Sequence, residues 1–414
     1  MEYTDEVTYS EAIHEVVLRD GSVSINRLRA TVKGFRACVD GCWAIVSCQG
    51  CSWDASRALR DAKSMASRSR CPGMSEAELF RGRSVFGRSR GDYGNLVNAA
   101  RGLCEEVLAL GLNRCEVVLT FKELFRELRR GGEGAVETKF IEEALVSVGL
   151  KGARYGLGTA NLTTLSGVRE LRPKDLEKLF KMAISRARAS ARAKALSPLS
   201  IGRSEVVLTA EAPGALIHEL SHLLEADLAR SPIQGLKVSG AELSVYDDPP
   251  NPSYPSVRVF DDEGVVTFKR ALIEGGRVVD LHHTRATAAV YSSIPGSAHN
   301  LFHPPRPYHT TLVMELGDWR EGEIVEETRK GYLIDGVAAA FLDGGVVRIV
   351  PEAAYLIDGG EVREPVHVRA VKIPVSRPIK LLAVGRVPRV RTTYEGDWLV
   401  SEVAPAVKVE AYVE

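Results

Sequence analysis

The residues with the clearest capacity for chemistry lie near the middle of the chain, where His218 and His222 are four positions apart. Side chains at this spacing on an α-helix lie one turn apart on nearly the same face. Two imidazoles so placed can bind one tetrahedral zinc ion, and Glu219, next to the first histidine, can reach water beside the metal. The spacing therefore predicts a site for metal-dependent hydrolysis.

The chemistry expected of such a site is the attack of water on a carbonyl group. Zinc lowers the pKa of water to about 7, and Glu219 is predicted to take its proton as the general base. The motif follows Pro213 and is rich in apolar residues, which predicts a buried helix. The alternative interpretation is a buried helix with two incidental histidines, although burying these polar side chains without a ligand is costly.

A third metal ligand must come from elsewhere in the chain. Glu242 follows His222 by twenty positions, the spacing of one class of zinc peptidases in which a second helix supplies a glutamate. Here the residues around Glu242 read as a strand instead. Further candidates are His303, in a proline-rich stretch, and Glu395, near the C-terminus. The remaining histidines that could serve are His282, His283, His299 and His309.

Four cysteines near the N-terminus form a second pattern to consider. The spacing of Cys38, Cys42, Cys48 and Cys51 is compatible with a zinc knuckle or a redox pair. The residues between Cys42 and Cys48 read as a strand, however, and small apolar cysteines pack well in sheets. Packing is therefore the preferred interpretation.

The elements that must position these residues belong to an α+β protein. Residues 21–48 predict antiparallel strands with a turn at 39–41, and residues 115–121 and 137–150 also read as strands. The helices predicted in the first half span 53–70, 77–83, 95–112 and 172–196. The short helix at 77–83 rests on the capping-box spacing of Ser75 and Glu78.

The chain divides into two predicted domains. Residues 1–198 form an N-terminal α+β domain with an antiparallel sheet and helices. Residues 199–414 form a β-rich, sandwich-like or barrel-like domain that carries the single zinc-binding helix, because strands and glycine turns dominate there. The basic side chains Arg186, Arg188, Arg192 and Lys194 predict a solvated helix face, with an RNA contact as the alternative.

Composition limits the class of partner and the compartment. The 54 basic and 54 acidic residues give a formal net charge of +0, which argues against a nucleic-acid or anionic-membrane binder. No apolar run approaches the ~18–20 residues that a membrane helix needs, and the N-terminus shows no secretory signal. All seven cysteines lie at or before Cys115, unlike a secreted disulfide framework, so we expect a cytoplasmic protein.

Several segments together resemble the TldD/PmbA family of metallopeptidases. They are the runs at 216–227, 260–265, 303–311 and 355–366, which occur in the family's order. The resemblance implies a two-domain, zinc-dependent peptidase that acts on small or unfolded peptides inside a chamber formed by a homodimer, or by a heterodimer with a related subunit. It also suggests that Asp261, Asp262 and His303 line the substrate chamber.

Two departures from the family pattern bear on activity. The family has three residues between the glutamate and the second histidine, whereas this chain has two, a spacing that suits a regular helix. The family's third zinc ligand is a cysteine near the C-terminus, and this chain has no cysteine after Cys115. The histidines make the chain similar to the catalytic, TldD-like members. The missing cysteine motivates the alternative, a non-catalytic PmbA-like subunit that binds peptides.

Overall fold

Two large sheets, each covered by helices, form the architecture of the protein. The computed structural model describes residues 2–49, 54–68, 71, 73–152, 154–197, 200–228, 233–240 and 243–414. The predicted α+β class is confirmed: antiparallel pairing dominates, and the C-terminal half is rich in strands. The predicted domain boundary at 198–199 falls on residues outside these ranges and stays a prediction.

The N-terminal sheet has seven strands in the order β3-β2-β1-β5-β6-β4, with β7 also paired to β6. The turn between β1 and β2 places Asp20 and Gly21 at φ values of 47° and 90°, which glycine and aspartate tolerate better than most residues. The strands are β1 (Glu2–Arg19), β2 (Ser22–Val39), β3 (Cys42–Cys48), β4 (Gly82–Phe86), β5 (Arg114–Arg130), β6 (Glu133–Lys151) and β7 (Tyr155–Leu165).

Within the described residues, three helices belong to this half of the molecule. They are α1 (Ala55–Arg68), α2 (Gly94–Ala109) and α3 (Pro173–Arg192). The apolar faces of α2 and α3 pack on the sheet around Leu96, Leu119 and Leu176, so helical periodicity and strand alternation meet in one core. Among the described residues, no helix has both the length and the apolarity needed to cross a membrane.

The C-terminal sheet has twelve strands, and its long central members flank β9. Its strands are β8 (Lys194–Ala195), β9 (Gly202–Thr209), β10 (Val245–Asp247), β11 (Arg270–Glu274), β12 (Arg277–Val278), β15 (Thr311–Met314), β16 (Lys330–Asp343), β17 (Val346–Asp358), β18 (Glu361–His367), β19 (Val371–Pro374), β20 (Leu381–Glu395) and β21 (Trp398–Val413). A separate ribbon is formed by β13 (Ala298–His299) and β14 (Arg306–Pro307).

The helix that carries the histidine motif is α4 (Ala212–Ser221), and it follows β9 after a two-residue turn. Every residue of α4 is buried, and the helix packs against β16, β17 and β21. Two further short helices, α5 (Arg285–Tyr291) and α6 (Glu321–Glu326), lie outside this core. The predicted buried helix after the first strand of this half is confirmed.

The structure corrects the predicted short helix at 77–83. This stretch is extended and leads into β4, which pairs in parallel with β6. The backbone N–H of Ser75 donates to the carbonyl of Arg285, and that of Phe80 donates to Gly264. Contacts with distant residues thus outweigh the local capping signal, which was too weak to nucleate a helix alone.

The cysteines do not form the metal knuckle that was considered. Cys42 is joined by a disulfide to Cys71, and Cys104 is joined to Cys115. Cys48 is also disulfide-bonded, Cys38 is a free buried thiol, and Cys51 lies outside the described residues. A sulfur held in a disulfide cannot act as a thiolate ligand, so a zinc site shared by these four cysteines is excluded.

Arg186 joins the two halves of the molecule and is not part of a solvated face. Its guanidinium, on α3, lies 2.6 Å from Glu211, 2.9 Å from Asp335 and 3.6 Å from Glu352. The prediction for this residue was wrong, whereas Arg188, Arg192 and Lys194 are exposed as predicted. Since Glu211 immediately precedes α4, the N-terminal half contacts the start of the helix that carries the histidines.

The substitution Arg186→Met should lower the free energy of unfolding by about 3–5 kcal/mol, because it leaves partly buried carboxylates without their cation. Urea unfolding followed by circular dichroism measures the change. Arg188→Met, on the same helix but exposed, is the matched control and should stay within about 0.5 kcal/mol of the parent. Equal effects of the two substitutions would contradict a role for Arg186 in joining the two halves of the molecule.

Candidate metal centre

The two histidines of the motif lie side by side at the end of α4. His218 is inside the helix, and His222 begins a single 3-10 turn, His222–Leu224, that continues its path. The ring centroids are 5.3 Å apart. Ligand atoms of His218, Glu219 and His222 all lie within 4.8 Å of one another. The local spacing thus brings the three motif residues together.

A carboxylate contacts the Nδ1 atom of each histidine. Glu402 on β21 lies 2.7 Å from Nδ1 of His218, and Glu225 lies 2.7 Å from Nδ1 of His222. Metal-binding histidines commonly donate their second ring N–H to a carboxylate in this way, which fixes the tautomer and leaves Nε2 for the metal. The donor set therefore fits a metal ion held by the two Nε2 atoms.

Glu395 is a further acidic side chain beside these rings. It stands at the end of β20 and lies 3.7 Å from Nε2 of His218. Two ligands of a tetrahedral zinc ion are separated by roughly 3.4 Å when each bond is about 2.1 Å long. The side chain of Glu395 is 41% exposed, so the candidate site opens to solvent on this side.

Tyr308 closes another side of the site. Its hydroxyl lies 3.4 Å from Nε2 of His218, and its ring stacks on His309 at 4.5 Å between centroids. The side chain is only 6% exposed. A buried phenol beside the expected metal position can donate a hydrogen bond to a substrate oxygen.

A deeper group of possible ligands consists of His218, His309 and Glu402. It fits a metal poorly, because an ion there would compete with the hydrogen bond between Glu402 and Nδ1 of His218. Arg391 also lies 3.0 Å from Glu402, and its positive charge opposes a second cation. This group therefore supports the first site from behind.

The pKa values of His218, His309 and Glu402 depend on their burial and on their charged neighbours. Burial alone would lower the pKa of His218, but the neighbouring carboxylates of Glu395 and Glu402 raise it to about 9. Burial lowers the pKa of His309 to about 3, against the raising effect of Glu402, so its ring is neutral. Burial opposes ionisation of Glu402, yet Arg391 and the histidines lower its pKa. The carboxylate behind His218 is therefore ionised.

Three other residues predicted for the site, Asp261, Asp262 and His303, are not among the groups of possible metal ligands in the described part of the chain. Asp262 is buried and forms 2.5 Å ion pairs with Arg126 of β5 and with Arg258. Asp261 is also buried and accepts backbone hydrogen bonds from Glu263, Val265 and Ala298. His303 is exposed, and Glu242 lies outside the described residues. Asp262 connects its loop to the N-terminal sheet through Arg126, whereas Asp261 stabilises the loop through backbone hydrogen bonds, so both carboxylates are already engaged.

The hairpin that presents Glu395 also contacts the N-terminal sheet. The Tyr394 hydroxyl donates to Glu143 of β6 at 2.6 Å. The amine of Lys122 on β5 lies 4.3 Å from the centre of the Tyr394 ring and 2.8 Å from Glu143. The position of the candidate third ligand thus depends on both halves of the molecule.

Sequence reasoning missed Glu225, Tyr308 and Glu402. Glu225 had a usable signal, because it follows His222 by three positions and can turn back to its ring. Tyr308 directly precedes His309, which was already a candidate. Glu402 lies 184 positions from His218 in the sequence, and no local pattern connects the two.

The chain is similar in sequence to a metallopeptidase domain and to proteins named as metalloproteases. The sequence model of the PmbA/TldA metallopeptidase C-terminal domain matches residues 201–410, about half of the chain. A metalloprotease of Methanocaldococcus jannaschii is 30% identical over 179 residues, which is 40% of each chain. A metalloprotease of Archaeoglobus fulgidus is 28% identical over 186 residues, 42% of this chain and 43% of the relative.

The fold is shared over the whole chain with a solved structure. TldE from Thermococcus kodakarensis superposes with a TM-score of 0.73 and 16% identity, covering 100% of this chain and 96% of that one. The sequence matches to these curated relatives cover less than half of the relatives' own length. On the match of its C-terminal half, which contains the histidine helix, the chain belongs to the TldD/PmbA family of metallopeptidases.

Proposed function

We propose that this protein is a zinc-dependent peptidase that hydrolyses peptide bonds of small or unfolded peptides. The observation that carries the proposal is the pair of His218 and His222. In each of them a carboxylate contacts Nδ1, and Nε2 is left for a metal. Two relatives named as metalloproteases support a metal and proteolysis. Two imidazoles with a carboxylate are a donor set that suits zinc.

Glu395 is the proposed third ligand. Of the two acidic side chains paired with His218, Glu395 lies at Nε2, whereas Glu402 contacts Nδ1. Glu395 also lies in the C-terminal region where the family places its cysteine, and it can replace that thiolate with a carboxylate. Glu242 remains an alternative that the described residues do not address.

The side chains around the candidate metal centre can each take a different role in amide hydrolysis. A bound zinc ion would supply Lewis acidity to water and to the substrate carbonyl. Glu219 accepts a proton from the attacking water and can return it to the departing amine. Tyr308 donates a hydrogen bond to the carbonyl oxygen as negative charge develops there. Glu402 and Glu225 keep the two imidazoles in one tautomer and orientation.

The assembly and the location belong to the same proposal. The chain is proposed to act as a homodimer or as a heterodimer with a related subunit, with the candidate site facing an enclosed chamber. The likeness to TldE in fold supports the second form. A cytoplasmic location remains part of the proposal, although disulfides such as Cys42–Cys71 and Cys104–Cys115 are unusual in a reducing compartment outside hyperthermophiles.

The alternative is a non-catalytic, peptide-binding subunit of the PmbA type. The observation that favours it is the absence of any cysteine after Cys115, which removes the family's thiolate ligand. Such a chain would hold a peptide without cutting it and would not need stoichiometric zinc. Metal content and hydrolysis therefore separate the two functions.

Replacing Glu219 by glutamine should lower the rate of peptide hydrolysis by about 10²–10⁴-fold, because the general base is lost. Zinc content, measured by atomic absorption, should stay at one ion per chain. Glu361→Gln, on the exposed strand β18, is the control and should keep the parental rate. Parental rates for Glu219→Gln on every peptide of a panel would refute the catalytic assignment.

Substitutions of Glu395 test whether its carboxylate is the third metal ligand. We expect Glu395→Ala to weaken zinc binding by more than the roughly 10–100-fold loss seen when a residue that only supports a ligand is replaced. Glu395→Cys should restore zinc binding, because its thiolate can bind the metal. Calorimetric titration of zinc into the metal-free protein measures both. Asp397→Ala, two residues further in the same turn, should bind zinc like the parent. If the alanine and parent proteins bind zinc equally, Glu395 is not a ligand.

The supporting role of Glu402 makes a separate prediction. Glu402→Gln should weaken zinc binding about 10–100-fold, since the amide carries no charge to hold His218 in its metal-binding tautomer. The same titration measures the effect, and circular dichroism verifies folding. Glu410→Gln, on the same strand but partly exposed, serves as the control. An unchanged zinc affinity in a folded Glu402→Gln protein would argue against this role.

A further inference from the structure

A cavity of about 450 Å³ lies in the N-terminal half, between β2 of the sheet and the loop that leads into α2. This volume is in the range of sites that hold small organic ligands. The residues that give it chemical character are His14, Arg27, Arg29, Arg90, Tyr93 and Phe121. None of them belongs to the candidate metal centre.

The cavity lies on the side of the sheet away from the metal centre. His14 and Phe121 are directly paired across β1 and β5, so their side chains share one face. Lys122, the next residue on β5, must point to the opposite face, where its amine donates a hydrogen bond to Tyr394 of the hairpin that presents Glu395. Alternation along the strand thus separates the cavity from the hydrolytic site.

Three rings form an aromatic wall in the cavity. Tyr93 stacks on Phe121 with centroids 4.9 Å apart, and His14 lies 4.7 Å from Tyr93. The Tyr93 hydroxyl and Nε2 of His14 are 2.6 Å apart, which fixes both rings. Burial and the nearby Arg27 lower the pKa of His14, so its ring is neutral at pH 7. The wall can stack against a planar ligand.

An immobilised guanidinium stands beside this wall. Arg90 donates to the carbonyls of Asp92 and Leu171 and to the Glu142 carboxylate, at 2.8, 3.1 and 2.8 Å. These bonds use Nε and one Nη, and within the described part of the chain the other Nη makes no hydrogen bond. A guanidinium already held in place loses little further entropy when it binds an anion.

The mouth of the cavity adds two more cations. Arg27 and Arg29 on β2 are exposed, and neither forms a salt bridge with any residue that the structure describes. The acidic side chains of the lining are Glu142, which is engaged by Arg90, and Glu123, which is exposed. The three arginines outnumber these two carboxylates, so the lining favours an anion.

We propose that this cavity binds a small ligand in which a planar ring lies next to an anionic group. The ring would stack on Tyr93 and Phe121, and the anion would meet Arg90 together with Arg27 or Arg29. Two sources share this chemistry: a short peptide that ends in an aromatic residue with a free carboxylate, and a nucleotide with its base and phosphate. This site is independent of the hydrolytic function proposed above.

Calorimetric titration with four probes tests the proposal and separates the sources. N-acetyl-L-tryptophan represents the peptide end and adenosine monophosphate the nucleotide, and N-acetyl-L-tryptophanamide and adenosine are their neutral counterparts. We expect at least one acid to bind at one site per chain, at least tenfold tighter than its neutral counterpart. The acid that binds identifies the source.

Substitutions then locate the bound probe. The double variant Arg27→Gln and Arg29→Gln changes only exposed side chains, so it should fold normally and weaken binding of the acid at least tenfold. Arg101→Gln, on the exposed face of α2 and outside the cavity lining, should bind like the parent. The proposal is overturned if neither acid shows the tenfold preference, or if the double variant binds the acid as tightly as the parent.

Discussion

The hydrogen bond between Glu402 and Nδ1 of His218 is the contact on which the candidate metal centre depends. Glu402 lies on β21, whose partner β9 leads directly into α4. Glu402 therefore lies on the strand next to the one that leads into the helix of His218. The pairing of these two strands fixes the distance between the two side chains more firmly than a mobile loop could. The buried carboxylate is compensated by Arg391, which limits the cost of placing it in the core.

The histidine motif was predictable because its geometry is local. Helical spacing alone places His218, Glu219 and His222 together, and the structure keeps them so. Glu402 and Tyr308 could not be found in this way, because β-sheet pairing and a long loop bring them to the helix from far along the chain. Glu395 was among the candidates, but only its contact with His218 sets it apart from the others.

The fold class followed from strand and helix periodicity, whereas individual roles did not. Helical periodicity places Arg186 on α3 but cannot show that three carboxylates of the other half surround it. The segment before β4 carries a capping signal, yet backbone hydrogen bonds to Arg285 and Gly264 determine its conformation. Asp261 and Asp262 were expected at the substrate, while tertiary contacts use both to fix a buried loop. In each case the missing information was the identity of a distant partner.

The anchoring of Tyr394 on Glu143 has a thermodynamic meaning for the whole molecule. The next residue, Glu395, reaches the candidate metal centre, so one hairpin is shared between that centre and the N-terminal sheet. Linked equilibria are reciprocal: whatever docking of the two halves adds to the affinity for a ligand at the centre, ligand binding adds to the docking. One coupling free energy then determines both the ligand affinity of the metal centre and the stability of the contact between the two halves.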